Sequence, residues 1–282
     1  MSSSLGKLLR KGKVKDVYEI NQDKLLFHFT DRVSAFDVIL PSIIPRKGEV
    51  LCRFAEFWFK KLGVNNHMIE IIDNNNKMIV KKLDIIPIEC VVRGYIYGSF
   101  YERIVKKEIE LDSNMKLASK LSQPIFDPTT KFEEKDRPIE DTEIISNRWL
   151  NEKELRNIKK VSIDLYRQMS DIVSKVGFIM ADIKLEFGKD KNGTIMLADS
   201  IGPDEFRLWV IDQYKEGHSQ ESYDKQLIRD WLTQIGYKKK LDESRKNGLN
   251  NPYPPNLPEE LILKVLSRYI QAYEKITGRK FD

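Results

Sequence analysis

The spacing of hydrophobic residues changes period along the chain. Between Leu8 and Leu40 it alternates, and KGKVKDVYEI, KLLFHFTD and FDVILP read as antiparallel strands. Val14, Asp16 and Tyr18 oppose Lys13, Lys15 and Val17, and a tight turn over Asn21–Lys24 separates the first two strands. From Glu49 to Lys61 the period lengthens to that of a helix, with Leu51, Phe54, Ala55, Trp58 and Phe59 on one stripe that reads as core. Strands over His67–Asp73 and Lys77–Val80 follow, joined by a turn at Asn74–Asn76, and Ile85–Phe100 reads as an apolar strand interrupted by Glu89 and Arg93.

The pattern then lapses. Leu111–Asn147 is polar, carries Pro124, Pro128 and Pro138, and reads as a long loop, either a binding element or lid or a flexible linker. Helical spacing returns over Glu152–Lys175, where Leu155, Ile158, Leu165, Met169, Ile172 and Val176 share one side. Ser222–Gly236 reads as a second helix with Tyr223, Leu227, Trp231 and Leu232 inward, and Lys238–Lys240 as a solvated loop. A last helix spans Pro258–Thr277, with proline in its first turn and Gly278 at its end.

Between these helices lies FIMADIKLEFGKDKNGTIMLADSIGPDEFRLW, the stretch that carries chemistry. Strands over Phe178–Phe187 and Thr194–Ser200 flank a turn at Lys189–Gly193 whose Asn192-Gly193 pair is a strong hairpin signal. Asp182, Lys184 and Glu186 fall at i, i+2 and i+4 on one face, while Asp199 ends the return strand ahead of a Gly-Pro turn and Arg207. Carboxylates grouped in this way suit Mg²⁺, which is held by one or two protein acids together with substrate phosphates; an exposed strand face of mixed charge is the bland alternative.

Composition narrows the class. With 282 residues, 41% hydrophobic and 32% charged, the chain can bury a large core in one domain or two. No apolar run reaches the ~18 residues of a membrane helix, and Met1–Lys15 lacks an apolar signal core, so a cytoplasmic protein without a membrane partner is expected. The net charge of +5 is spread out and suits small anionic ligands rather than nucleic acid. Cys52 and Cys90 sit in apolar runs as structural thiols, and His28, His67 and His218 are too scattered for zinc or a histidine triad.

Weaker signals surround the hairpin. Gly12 between lysines could let the backbone approach a phosphate that Lys13 and Lys15 neutralise. A charge embedded in the apolar run at Glu89 or Arg93 needs a partner or a function: the two form a structural pair, or Arg93 and the Gly98-Ser99 turn hold an anion. In the polar loop, Lys131 and Asp136 are candidates for ligand contact.

At this point MADIKLEFG (Met180–Gly188) and PIECVVRGYIYGS (Pro87–Ser99) resemble the two signatures of the SAICAR synthetases. GKVKDVY, TDRVSAFD, PRKG, the FDPTTK loop, QESYDKQLIRDWL and YEKITG resemble further family segments in family order, over almost the whole chain. The polar loop and C-terminal extension resemble the longer, yeast-type members. The resemblance implies an α+β enzyme akin to ATP-grasp and protein-kinase architecture, with an antiparallel nucleotide-binding lobe at residues 1–110 and a larger lobe at 111–282. It also implies a reaction: ATP, L-aspartate and carboxyaminoimidazole ribonucleotide give the succinocarboxamide, ADP and phosphate through an acyl phosphate. A monomer is favoured.

Roles implied by the resemblance can be placed residue by residue. Glu186 and Asp199 match the Mg²⁺ ligands; Gly12, Lys13, Lys15 and Lys131 match groups around the ATP phosphates, with adenine near Glu89. Arg93, Ser99, Asp204 and Arg207 match ribonucleotide-binding positions, Lys184 and Asp182 face the same site, and Asp37 matches a site position of unassigned role. The chain departs from the family pattern at Tyr97 (usually small), Ser200 (usually Glu), Glu205 and Phe206 (usually small) and Lys135 (usually His). Those departures keep open a ligase or kinase for another anionic substrate, and a silent ligand-binding homologue is a third reading; the intact Lys184, Glu186 and Asp199 speak against the last.

Overall fold

Strand pairing sorts the chain into two principal sheets. In the computed structural model, which describes residues 6–72, 75–110, 115–133 and 136–282, the N-terminal part forms β1 (Lys7–Lys11), β2 (Lys15–Asn21), β3 (Lys24–Phe29), β4 (Arg32–Ala35), β5 (Val38–Ile43), α1 (Lys47–Lys61), β6 (Met68–Ile72) and β7 (Lys77–Lys81). An antiparallel sheet of order β1-β2-β3-β7-β6 results, with β4 and β5 as a separate pair. Asp73, expected at the end of a strand, Asn74, expected in the following turn, and residues 111–114 and 134–135 of the expected polar loop lie outside the described residues.

Phe29 and Gly48 touch so closely that a Cβ at residue 48 would stand 2.4 Å from the Phe29 carbonyl oxygen; glycine is what lets α1 lie against β3. The start of α1 is held by Asp31, whose carboxylate accepts from the N–H groups of Arg46 (3.1 Å) and Gly48 (3.0 Å). Trp58 and Phe54 are fully buried, as the aromatic stripe predicts.

The second sheet is assembled from β8 (Asp84–Ile85), β9 (Ile88–Tyr95), β10 (Lys120–Phe126), β11 (Thr129–Thr130), β12 (Phe178–Lys189), β13 (Ile195–Ala198) and β14 (Phe206–Val210), in which β9 and β12 are central. Residues 84–95 therefore pair into this sheet, although they precede the division expected at residue 110. The helices are α2 (Gly98–Val105), α3 (Asp141–Ser146), α4 (Glu152–Ser174), α5 (Gln226–Gln234), α6 (Tyr237–Lys246) and α7 (Glu259–Thr277). Mixed helices with antiparallel sheets make the fold α+β, and no helix among the described residues is long and apolar enough to cross a membrane.

Several local expectations need correction. The apolar run Ile85–Phe100 is not one strand: it ends at Tyr95, and Gly98 begins α2. The polar segment contains β10, β11 and α3 rather than loop alone. α5 starts four residues later than Ser222, because Asp224 is held in place by the N–H of Leu208 (2.8 Å) and itself caps the N–H of Gln226 (2.7 Å). Lys238–Lys240 lie within a helix, α6, anchored by buried Tyr237 and Leu241. α4 matches its expected span and begins with a reciprocal Asn151/Glu154 capping box.

Candidate active site

A cleft of about 600 Å³ opens between the two sheets. From the first sheet it is reached by Gly12, Lys13, Lys15 and His67; Glu89, Lys184, Glu186 and Asp199 come from the second. Gly12 makes a tight turn, its N–H donating to the Lys15 carbonyl at 2.9 Å, and a Cβ there would meet that oxygen at 2.4 Å. Arg32 clamps the same turn by donating to the Gly12 carbonyl (2.9 Å) while pairing with Asp16. The flanking lysines are thereby aimed inward.

Opposed charges pair around the cleft, and the Lys15–Asp199 pair crosses it. Lys15 binds Asp199, Lys131 binds Glu186 at 2.7 Å, Lys184 binds Glu89 at 2.6 Å and Lys13 binds Asp37 at 2.5 Å. Burial raises the Asp199 pKa, but Lys15 and Lys131 outweigh it and hold the carboxyl well below the usual range. Burial and the Asp199 charge together push Glu186 up. Burial lowers the Lys184 pKa, yet Glu89 and Glu186 reverse this and keep it firmly charged. Asp136 is raised to about 6 by burial and by the charges of Glu89 and Asp37.

Glu186 and Asp199 offer hard oxygen donors near enough to perturb each other. Among the described residues no group of three or more His, Cys, Asp or Glu could hold a metal ion. Two carboxylates completed by ligand oxygens are a donor set that fits Mg²⁺ and fits zinc poorly.

A second cluster lies outside the cleft lining. Arg93 Nε donates to Asp127 at 2.6 Å, its Nη1 stands 3.5 Å from Asp182, and its Nη2 donates to Ser99 Oγ at 3.5 Å. Arg207 binds the same Asp182, and Arg103 binds Asp127 at 2.7 Å. Three guanidinium groups thus face two carboxylates, leaving an excess of positive charge. The supposed Glu89–Arg93 pair does not form, because β9 places Arg93 opposite Asp182 and Glu89 reaches Lys184 instead. Gly98, with φ +56, lets the Arg207 head lie against the α2 turn, where a Cβ would be 2.6 Å from Nη2.

Asp204 also borders the cleft, but both its oxygens are committed inside the protein. Lys47 Nζ donates at 2.8 Å and Tyr269 OH at 2.9 Å, and the Lys47–Asp204 side chains are 1% and 4% exposed. The pair ties the 199–207 turn to α1 and α7.

A family model described as SAICAR synthetase matches residues 8–244. The chain belongs to the SAICAR synthetase family. It is 52% identical to the phosphoribosylaminoimidazole-succinocarboxamide synthase of Nitrosopumilus maritimus over 96% of this chain and 98% of that one. Among solved structures it is similar to the SAICAR synthase of Saccharomyces cerevisiae complexed with SAICAR, with 34% identity, a TM-score of 0.83 and coverage of 100% and 98%. It is also similar to a SAICAR synthetase in complex with ADP, with 28% identity, a TM-score of 0.73 and coverage of 97% and 99%.

Departures from the SAICAR synthetase pattern acquire positions here. Ser200 Oγ donates to Glu205 Oε1 at 3.4 Å, so the carboxylate of residue 205 stands beside residue 200. Tyr97 packs its ring beneath the Arg207 guanidinium, 5.6 Å away, and Phe206 meets Phe54 in the core. Among the cleft residues that escaped sequence reasoning are His67, Glu205 as a functional group, and Lys225. His67 is 1% exposed, and its Nε2 bonds the Asp199 carbonyl at 3.1 Å, which fixes a residue at φ 62. Only its position between two apolar residues in space, Phe27 and Phe59, would have singled it out.

Proposed function

We propose that this chain joins L-aspartate to carboxyaminoimidazole ribonucleotide, giving SAICAR, ADP and phosphate. Full-length similarity to synthases, one carrying SAICAR and another ADP, supports the reaction. The observation that carries the reading at the level of residues is the set of ion pairs Lys15–Asp199 and Lys131–Glu186 lining the cleft. On nucleotide binding Lys15 and Lys131 would turn from these acids to the phosphates, and Asp199 and Glu186 would be free to hold a metal ion. Each charge then remains neutralised, so binding needs no exposed, uncompensated ion.

In this reading Glu186 and Asp199 hold Mg²⁺, which would supply charge neutralisation on the nucleotide phosphates. The Gly12 turn closes over them with Lys13 and Lys15, and Lys131 approaches from the polar segment. Adenine lies against β9 near Glu89. Arg93, Ser99 and Arg207 receive the ribonucleotide, whose anionic groups displace Asp127 and Asp182 from the guanidinium heads. Asp204 positions the turn rather than touching substrate, Lys184 balances the acids, and Asp37 restrains Lys13. The nucleotide lobe coincides with the β1-β2-β3-β7-β6 sheet, and the second sheet carries the ribonucleotide.

The chemistry demands that a poor electrophile be activated. An oxygen of the ribonucleotide carboxylate takes the terminal phosphoryl group of ATP and ADP leaves; the aspartate amine then attacks the acyl carbon and phosphate departs. Positioning and charge neutralisation supply most of the acceleration in such transfers. A coupled assay of ADP release, with ribonucleotide, aspartate, ATP or Mg²⁺ omitted in turn, tests the assignment. Release must depend on all four; release that persists without aspartate, or with a different acid in place of the ribonucleotide, refutes it.

A further inference from the structure

Among the described residues of the cleft, a buried carboxylate oxygen on Glu205 and the ammonium of Lys225 lack the partners that the pairs above possess. Glu205 Oε2 is buried without any hydrogen-bond partner, while Oε1 has only the long contact to Ser200. Lys225 lines the same cleft at the start of α5, where its carbonyl accepts from Ile228 and Arg229 N–H, while its Nζ makes no ion pair or hydrogen bond among the described residues. Burial pushes Glu205 up to about 8, helped by Asp204 and Asp199, and burial pushes Lys225 down to about 8, helped by Arg229. Their charges act on each other, so they stand in one neighbourhood. An unsatisfied buried carboxylate oxygen is costly unless a donor arrives.

ATP and the ribonucleotide bring phosphates and a carboxylate, which Glu205 would repel. The amino acid alone among the three substrates brings an ammonium, and it brings carboxylates as well. The turn that holds Glu205 runs between Asp199 and Arg207, hence between the places given above to the metal and to the ribonucleotide. That is where an attacking amine must enter.

We propose that Glu205 and Lys225 are the recognition pair for L-aspartate, Glu205 Oε2 accepting from the α-ammonium and Lys225 Nζ pairing with a carboxylate. The assignment rests on the function proposed above and adds the subsite for its third substrate. Its test is steady-state kinetics of wild type, Glu205→Gln and Lys225→Met with each substrate varied, using succinate, the analogue without the amine, as a competitor of aspartate. Both variants should raise the aspartate KM about tenfold or more and leave the ATP and ribonucleotide KM within about twofold. Succinate should inhibit Glu205→Gln as it does wild type, but should inhibit Lys225→Met about tenfold more weakly. A merely structural role would not separate the two inhibitor responses.

Glu205 has only the long bond from Ser200 and Lys225 Nζ has no bonded partner, so both variants should keep the wild-type melting temperature. An unchanged aspartate KM, equal shifts for all three substrates, or a raised Mg²⁺ requirement in Glu205→Gln would overturn the assignment while wild type continues to consume aspartate. A wild-type enzyme that turns over without aspartate would overturn the function itself and the assignment with it.

Discussion

Removing the Lys47 ammonium tests whether a buried ion pair builds the active-site turn. Lys47 and Asp204 are almost wholly excluded from water, 2.8 Å apart, and Asp204 has one other donor, Tyr269. Lys47→Met keeps the aliphatic stem and packing but strands a buried carboxylate. Breaking one side of such a pair costs about 3–5 kcal/mol, and the surviving Tyr269 bond puts this case near the lower figure. For a chain of this size ~3 kcal/mol corresponds to a fall in Tm of roughly 5 °C. Asp204→Asn should cost a similar amount, and the double variant much less than the sum, with a coupling of about 2 kcal/mol. Urea midpoints and thermal scans on the four proteins measure the cycle. Because Asp204 ties the 199–207 turn to α1 and α7, kcat should fall alongside stability in Lys47→Met. A loss below about 1 kcal/mol, or additive single variants, would show that the pair is solvated and the turn anchored elsewhere.

Other consequences are as direct. Asp199→Ala should abolish ADP release at saturating Mg²⁺ with little change in Tm, since Lys15 keeps the faces of Phe27 and Phe29, 4.4 and 5.4 Å away; near-normal turnover would refute the metal role. Arg93→Ala should raise the ribonucleotide KM far more than the ATP KM, and should also lower stability by about 3 kcal/mol because Asp127 and Asp182 lose a buried partner. Equal KM changes would argue against the ribonucleotide cluster. His67 is held down to about 4 by burial, against 6.5 in the unfolded chain. The unfolded chain takes up that proton first, so stability is full above pH 6.5 and falls as the pH drops towards 4, by about 3 kcal/mol in all. Urea midpoints followed from pH 7 to 4.5 should decline more steeply for wild type than for His67→Gln; parallel curves would contradict a buried neutral ring.

Period and punctuation in the sequence determined those elements whose stability is local. The α1 stripe, the capped α4, the proline-to-glycine span of α7 and the hairpin at Asn192-Gly193 all stand where spacing and end signals put them. Alternation also placed Asp182, Lys184 and Glu186 on a single strand, and the segment-by-segment resemblance pointed to the family. Tertiary structure alone decided which charges meet. Arg93 and Glu89 are four residues apart, yet β12, nearly a hundred residues away, supplies a different partner for each, and no spacing rule contains that register.

Elsewhere the limit was a weak local signal overruled at long range. α6 buries only Tyr237 and Leu241, too sparse a stripe to stand out among its lysines. Asp224 delays α5 because Leu208, on another strand, claims its carboxylate. Glu205 reads as a substitution in the sequence; only folding brings it beside Ser200, buries its second oxygen without a donor and sets Lys225 in the same cleft. Local preference depends on neighbours along the chain, whereas the field at a buried charge depends on neighbours in space.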